Sequence, residues 1–215
     1  MKRRDYLKSL AATGAAIVAG GGLGAEVFAQ GTSPDMIELP APQKTGGMPL
    51  FDAISARQST REYSDKDVSL KDLSTILWSA YGFNRPDMRV IATPMNTQQL
   101  SVYVFLKDAV YLYDAAENKL LKRADGDHRR TIGAQDYVFS APVNLLFVAD
   151  STRGGGSGAS IPVGSASQGV YLACASLGLN AVIRTSGINA VVLRPLLKLA
   201  ETDELIAAQT VGNKP

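Results

Sequence analysis

The sequence predicts an α+β fold, with a mixed or antiparallel central sheet flanked by helices. Three observations predict it. Ser101–Lys107 and Ala109–Tyr113 are β-rich runs meeting at Lys107-Asp108, and Lys119–Lys122 follows after the polar turn at 114–118, as in an antiparallel meander. Val143–Ala149 is a nearly continuous apolar run, the pattern of a central strand buried on both faces. Helical periodicity appears before the meander and again after the central run, so strands pair first and are separated by helices later. That order argues against a doubly wound parallel sheet.

The elements follow along the chain. Residues 30–47 are rich in Pro, Gly, Thr and Ser, and Pro34, Pro40 and Pro42 interrupt regular structure there, so this stretch reads as a tether or an extended arm. Pro49–Ala56 is a short helix with Pro at its first turn and Leu50, Ala53 and Ile54 on one face. Ser69-Leu70-Lys71-Asp72 resembles a capping box with Asp in place of Glu, and Leu70, Leu73, Leu77 and Tyr81 continue it as a helical stripe up to Gly82. Arg153–Ser160 is a glycine-rich loop. A helix from Gly164 to Leu177 places Val170, Ala173, Cys174 and Leu177 on one face, with Gly178 where a left-handed cap is wanted. Asn180–Thr185 is a short strand, Pro195 starts or kinks a helix carrying Val192, Leu196 and Leu199, and Leu205–Val211 is the last strand.

Composition narrows the function. At 215 residues and 46% hydrophobic, the chain is long enough for one domain with a substantial core. The net charge of +2 comes from Lys2, Arg3, Arg4 and Lys8 set against Asp5 and Glu26, and the remaining 18 charges of each sign cancel. A neutral body with no basic run longer than Arg129-Arg130 carries no footprint for nucleic acid. Cys174 and His128 are the only residues of their types, which rules out an intrachain disulfide and a zinc site built from Cys and His. No Asp/Asn run has calcium-loop spacing, and no metal is expected.

Lys2-Arg3-Arg4-Asp5-Tyr6-Leu7-Lys8 resembles a twin-arginine signal, with Lys2 at the position usually held by Ser or Thr. The stretch that follows, Ser9–Gly24, is short and rich in Ala and Gly, too weak for a stable membrane span. Val27-Phe28-Ala29 presents small residues where a signal peptidase reads, so cleavage after Ala29 and export to the periplasm, or otherwise out of the cytoplasm, are expected. That route generally serves proteins that fold around a cofactor before crossing.

Arg57-Gln58-Ser59-Thr60-Arg61-Glu62-Tyr63 sets two guanidiniums and two hydroxyls within five residues. Arg offers a planar fork to phosphate oxygens and the hydroxyls add neutral donors, so the cluster suits an anion. This segment resembles the Arg-Arg-Ser-x-Arg-x-Phe element that opens the flavin-binding nitroreductases, with Gln58 at the second Arg and Tyr63 at the Phe. Four further stretches resemble the same family in the same order. They are the helix with Leu77-Trp78 and Tyr81-Gly82; Arg89–Gln98 against Pro-Ser-x-x-Asn-x-Gln, with Asn96 and Gln98 matching; Gly164–Leu179, with Gly169 where Asn is usual; and the tail Gln209–Pro215 against a terminal Val-Gly-Tyr-Pro-Lys. The resemblance spans Met48–Pro215, and within the superfamily it points toward the thiazoline and oxazoline oxidase subgroup.

The resemblance implies FMN as cofactor. Arg57 and Ser59 would hold its ribityl phosphate, with Gln58 counted beside them, and Arg61 would lie at the pyrimidine edge, where a cation stabilises the charge of reduced flavin. The amide of Asn96 would fix a flavin edge, the backbone N–H groups of Ser186 and Gly187 would approach N5 and O4, and Lys214 would reach the phosphate. No protein group is assigned a catalytic role, because flavin N5 does the chemistry. The family also implies an intertwined homodimer with flavin at the interface, a small-molecule substrate and ping-pong hydride transfer. Two other functions stay open: a dehydrogenase or oxidase passing electrons to oxygen or a membrane carrier, and a non-catalytic flavin-fold binding protein.

Short glycine motifs suggest other enzymes and fail in detail. Ser165-Ala166-Ser167-Gln168-Gly169 and Gly155–Ala159 each miss the nucleophile elbow by one residue, and the single His128 precedes both. Gly154, Gly156 and Ala159 imitate a dinucleotide fingerprint, yet Pro162 precedes the next helix and no acidic residue follows about 20 positions on.

Overall fold

The computed structural model describes residues 33–153 and 156–215. The expected signal segment 1–29, the first linker residues 30–32 and the centre of the glycine-rich loop, Gly154-Gly155, lie outside the described residues. Along the chain the strands are β1 (Met36–Glu38), β2 (Phe83–Arg85), β3 (Met88–Arg89), β4 (Leu100–Phe105), β5 (Ala109–Asp114), β6 (Lys119–Asp125), β7 (Val143–Asp150), β8 (Leu179–Arg184) and β9 (Asp203–Asn213). The helices are α1 (Leu50–Ala56), α2 (Leu70–Tyr81), α3 (Asp136–Ser140), α4 (Ser160–Leu177) and α5 (Ala190–Leu197).

Seven strands form one sheet in the order β1-β6-β5-β4-β7-β9-β8, and each neighbouring pair is antiparallel. The α+β class and the flanking helices are as the sequence predicts, and of the two sheet types it allows, antiparallel is the one formed. A parallel pairing occurs only as the single bridge Ser59 to Ala181 among the described residues. The apolar run at Val143–Ala149 falls in β7, an interior strand of the sheet between β4 and β9, and is buried throughout. Side chains alternate between faces, as the two-residue period of a strand requires. Val102, Val104, Leu145 and Phe147 face one core with α2 and α4, whereas Tyr103, Phe105, Leu146 and Val148 face a second core with Leu193 and Leu197 of α5.

Two helices fix the site described below. Ser69 Oγ accepts from Asp72 N at 3.1 Å and donates to Asp72 Oδ2 at 2.7 Å, so the predicted cap forms. The cap contributes about 1 kcal/mol. Burial of Leu73, Ile76 and Leu77 counts for more, at roughly 1.5–3 kcal/mol per side chain. Helix α4 starts at Ser160, four residues before the predicted Gly164, because Pro162 falls in the first turn, where its missing N–H has no partner to lose. It ends as predicted, on Gly178 in the left-handed region at φ 74°.

Three local features go beyond the sequence reading or depart from it. Between Pro34 and Pro40 the arm supplies an edge strand, β1, on β6, and Asn118 Nδ2 donates to the carbonyls of Leu39 and Pro40 at 3.1 and 3.0 Å. The arm is therefore extended and lies on its own subunit. Helix α1 buries only Ala53 of its predicted face; Leu50, Phe51 and Ile54 are 61%, 81% and 47% exposed. The segment after Gly82 is a small hairpin, β2 with β3, turning through Asp87 at φ 56°.

Candidate functional site

Sheet edge β8 is where the Arg57–Tyr63 segment lies. Thr60 N donates to Ala181 O at 3.1 Å, Asn180 Nδ2 donates to Glu62 O at 2.8 Å, and Ser64 N donates to Asn213 O at 3.0 Å. These bonds cover the open edge of the sheet and bring the segment beside the C-terminal tail. Asn213 Nδ2 in turn donates to the carbonyls of Lys66 and Asp67, both at 3.0 Å. Gly212 is needed here, since a Cβ would stand 2.8 Å from both Pro142 Cδ and Tyr63 Cδ1.

Between α1, the C-terminal half of α4, the start of β8 and the tail is a cavity of about 390 Å³. Arg57, Gln58 and Lys214 line it together with Tyr171, Cys174 and Asn180. Two cations and two amides line it, and no carboxylate is among its lining residues. Helix α4 presents its partially negative C-terminus here, so the positive balance comes from Arg57 and Lys214 rather than from a helix dipole. Cys174 adds no charge: burial pushes its thiol up, and it stays a neutral, inert part of the wall.

Tyr171 ties the cavity together. Its hydroxyl accepts from Ile183 N at 2.9 Å and shares a 2.8 Å hydrogen bond with Ser59 Oγ, while the Arg57 guanidinium lies 5.2 Å from its ring centroid. The phenol thus orients both the hydroxyl and the guanidinium read from the sequence as anion ligands. Sequence reasoning missed Tyr171. The one available signal was an aromatic residue in a stretch of α4 otherwise made of small side chains. Tyr63 supports the segment from the other side by donating to Thr60 O at 2.9 Å, and Thr60 Oγ1 is buried with no hydrogen-bond partner among the described residues.

The remaining candidates lie outside this cavity. Arg61 is exposed on the same segment. Asn96 is exposed in a loop where Met95, Asn96 and Gln98 have φ of 46°, 53° and 49°, and its Nδ2 donates to Asp87 O at 3.1 Å. Ser186 and Gly187 form an exposed turn after β8; Gly187 has φ 80°, and a Cβ there would lie 3.1 Å from Ala134 N. The structure therefore gathers Arg57, Gln58 and Lys214 in one cavity, sets Ser59 against its wall, and leaves Arg61, Asn96, Ser186 and Gly187 on surrounding surface. No cluster of His, Cys, Asp or Glu able to hold a metal ion occurs among the described residues.

Residues 54–213 match the model of the nitroreductase family. The chain belongs to the nitroreductase family. A nitroreductase-family crystal structure from Ralstonia eutropha JMP134, provisionally named, superposes with a TM-score of 0.79 at 36% identity, covering 86% of this chain and 92% of that one. A Desulfovibrio desulfuricans protein, also provisionally named a nitroreductase and crystallised in complex with FMN, gives a TM-score of 0.59 at 25% identity, covering 79% and 88% of the two chains. A Methanocaldococcus jannaschii protein provisionally named a nitroreductase is 30% identical over 151 residues, 62% of this chain and 76% of that one. This is a flavin oxidoreductase family, and the cavity is its candidate cofactor site here.

Proposed function

We propose that this nitroreductase-family chain is an FMN-dependent oxidoreductase and that the cavity at Arg57 holds the cofactor phosphate. The observation that carries this reading is the convergence of Arg57, Gln58 and Lys214 on one carboxylate-free cavity. That donor set fits a dianionic phosphate: a planar guanidinium fork, a point charge and a neutral N–H donor. Ser59, held by Tyr171, adds a hydroxyl at the wall. FMN, when bound, supplies two-electron chemistry at N5. The protein's part is to bind the phosphate, to set a cation, Arg61, toward the ring, and to present the Asn96 amide and the Ser186 and Gly187 N–H groups to its edges. A ping-pong cycle follows, with donor and acceptor using one open site in turn.

The site is completed, on this reading, by a second copy of the chain. Leu50, Phe51 and Ile54 leave the apolar side of α1 exposed beside Met48 and Ala56, which line the cavity. A homodimer of the kind the family forms would bury that face and bring loops of one subunit to the cavity of the other. The Lys2–Lys8 motif further supports export by the twin-arginine machinery with cleavage after Ala29. Outside the cytoplasm nicotinamide donors are scarce, which favours a small-molecule dehydrogenase or oxidase passing electrons to oxygen or a membrane carrier. The likeness to thiazoline and oxazoline oxidases makes heterocycle-bearing peptides the first donors to try.

The test is an absorption spectrum of the chain purified from Gln30 onward, with mass identification of any released chromophore. Flavin bands and recovered FMN are expected. Arg57→Ala should weaken FMN affinity by between about tenfold and a hundredfold, the equivalent of one or two charge-assisted hydrogen bonds. A colourless protein that takes up no FMN on reconstitution would overturn the proposal. FMN uptake with no turnover by any donor would convert it to that of a flavin-binding carrier.

A further inference from the structure

Two arginines are buried among the described residues, and one of the two has a counter-ion there. Arg129, 5% exposed, is paired with Asp127 through contacts of 2.6 and 2.9 Å. Arg184, 7% exposed, donates from Nε to Ile132 O at 3.1 Å, from Nη1 to Thr210 Oγ1, and from Nη2 to Asn144 Oδ1 at 3.3 Å. Every one of these acceptors is neutral. Among the described residues no carboxylate reaches Arg184 at ion-pair distance. The titratable groups that act on it are the Tyr63 and Tyr137 phenols, and burial pushes the Tyr63 phenol up, so it too stays neutral. A guanidinium remains protonated in a protein, so a full positive charge sits in the core without an internal anion.

Its position suggests what the charge is for. Arg184 is the last residue of β8, and the exposed Thr185-Ser186-Gly187 turn follows it. A Cβ on Gly133 would lie 2.7 Å from Arg184 Nε, so the guanidinium packs directly on the Gly133 backbone. Gly133 in turn packs on the turn, since a Cβ on Gly187 would stand 3.2 Å from Gly133 Cα. Two glycines thus thin the layer between the buried cation and the surface to a single strip of backbone.

We propose that Arg184 is a positioning residue whose unpaired charge acts through Gly133 and Gly187 to stabilise an anion seated on the Thr185–Gly187 turn. This rests on the FMN reading above, in which that turn meets the flavin ring. Two electrons and one proton convert the neutral oxidised ring into a monoanion, so a fixed cation beneath it favours the reduced form. The Ile132, Thr210 and Asn144 contacts hold the guanidinium in place, and the absence of a carboxylate leaves its field unspent.

The experiment is a dye-coupled spectroscopic measurement of the flavin midpoint potential, with oxidised-FMN affinity, in native protein, Arg184→Gln, Arg184→Lys and Gly133→Ala. Arg184→Gln should bind oxidised FMN nearly as native does. Its preference for reduced over oxidised flavin should fall on the order of tenfold, the scale of one charge acting across a thin protein layer at an effective dielectric of about 20. Arg184→Lys should restore most of that preference. Gly133→Ala keeps the charge but pushes the guanidinium away from the turn, so a smaller fall in the same direction is expected, and this variant decides the matter if Arg184→Gln does not fold. An unchanged potential in a folded Arg184→Gln, or in Gly133→Ala if that variant must decide, overturns the inference alone. Native protein that takes up no FMN overturns the reading beneath it.

Discussion

Around Arg57 the backbone is held on several sides by the body of the fold. The segment is bonded to β8 and the tail, and its side chains rest on Tyr171 of α4. Around Asn96 the backbone is held by clips of its own. Met95, Asn96 and Gln98 all adopt left-handed angles, each costing about 1 kcal/mol or more for a residue with a side chain. Gln98 Nε2 donates to Asp87 O at 2.8 Å and to Asn96 Oδ1 at 3.1 Å, and Arg89 Nε donates to Gln98 Oε1 at 3.0 Å. Met95 at the loop's tip is 91% exposed. The first region is the cavity lined by Arg57 and Lys214 that is proposed above to take an anion, and its geometry follows from core packing. The second stores strain on a surface, a pattern found where a loop's contact lies beyond its own chain segment.

The largest expected effect comes from breaking the base of the first region. Gly169 lies in α4 where a Cβ would stand 2.2 Å from Ser79 O and 3.0 Å from Ser79 C, so α2 and α4 touch backbone to backbone. Gly169→Ala must push the helices apart and should cost about 3 kcal/mol, the upper end for overpacking. Tyr171 lies two residues further along the helix, so FMN affinity should fall with stability. Denaturant unfolding followed by flavin titration measures both. Stability within about 0.5 kcal/mol of native would show that α4 is not the rigid floor of the cavity.

A smaller change sharpens the same point. Tyr171→Phe keeps the ring beneath Arg57 but removes the acceptor of Ile183 N and the partner of Ser59 Oγ. Loss of these bonds should cost about 1–2 kcal/mol of stability. FMN affinity should drop by roughly five- to tenfold, less than for Arg57→Ala, because the guanidinium stays and only the hydroxyl is freed. Equal losses for the two variants would place the phosphate on Ser59 rather than on the arginine fork.

Much of this was legible because it is local. The Ser69 cap spans four residues, the Gly178 cap needs one glycine, and β7 announces itself by nearly continuous apolarity. Arg57 and Gln58 line one cavity, with Ser59 at its wall, for the same reason, since the three are adjacent. What the sequence hid are meetings across long separations. Tyr171 meets Ser59 over 112 positions, and β1 finds its partner in β6 although prolines flank it. The exposed face of α1 misled for a related reason: periodicity says that Leu50 and Ile54 share a side but not whether that side meets this subunit or another. Nothing local marks Arg184: Thr210 and Asn144, which close around it, lie 26 and 40 positions away.

The smallest effect on the fold, and the most telling about the second region, should come from Asn96→Ala. Its amide bonds to Asp87 O and from Gln98 Nε2 are exposed to solvent, so their loss exchanges protein partners for water. Alanine tolerates the left-handed angle less well than asparagine, which adds a modest cost. Together these should lower stability by no more than about 1 kcal/mol. If the strained loop exists to meet the cofactor, flavin affinity should fall by a larger factor than that stability loss accounts for, whereas Met95→Ala beside it should leave affinity nearly unchanged. If the two variants weaken flavin binding equally and only in proportion to their melting temperatures, the strain serves the hairpin at Asp87, and the cofactor's edge must be held elsewhere.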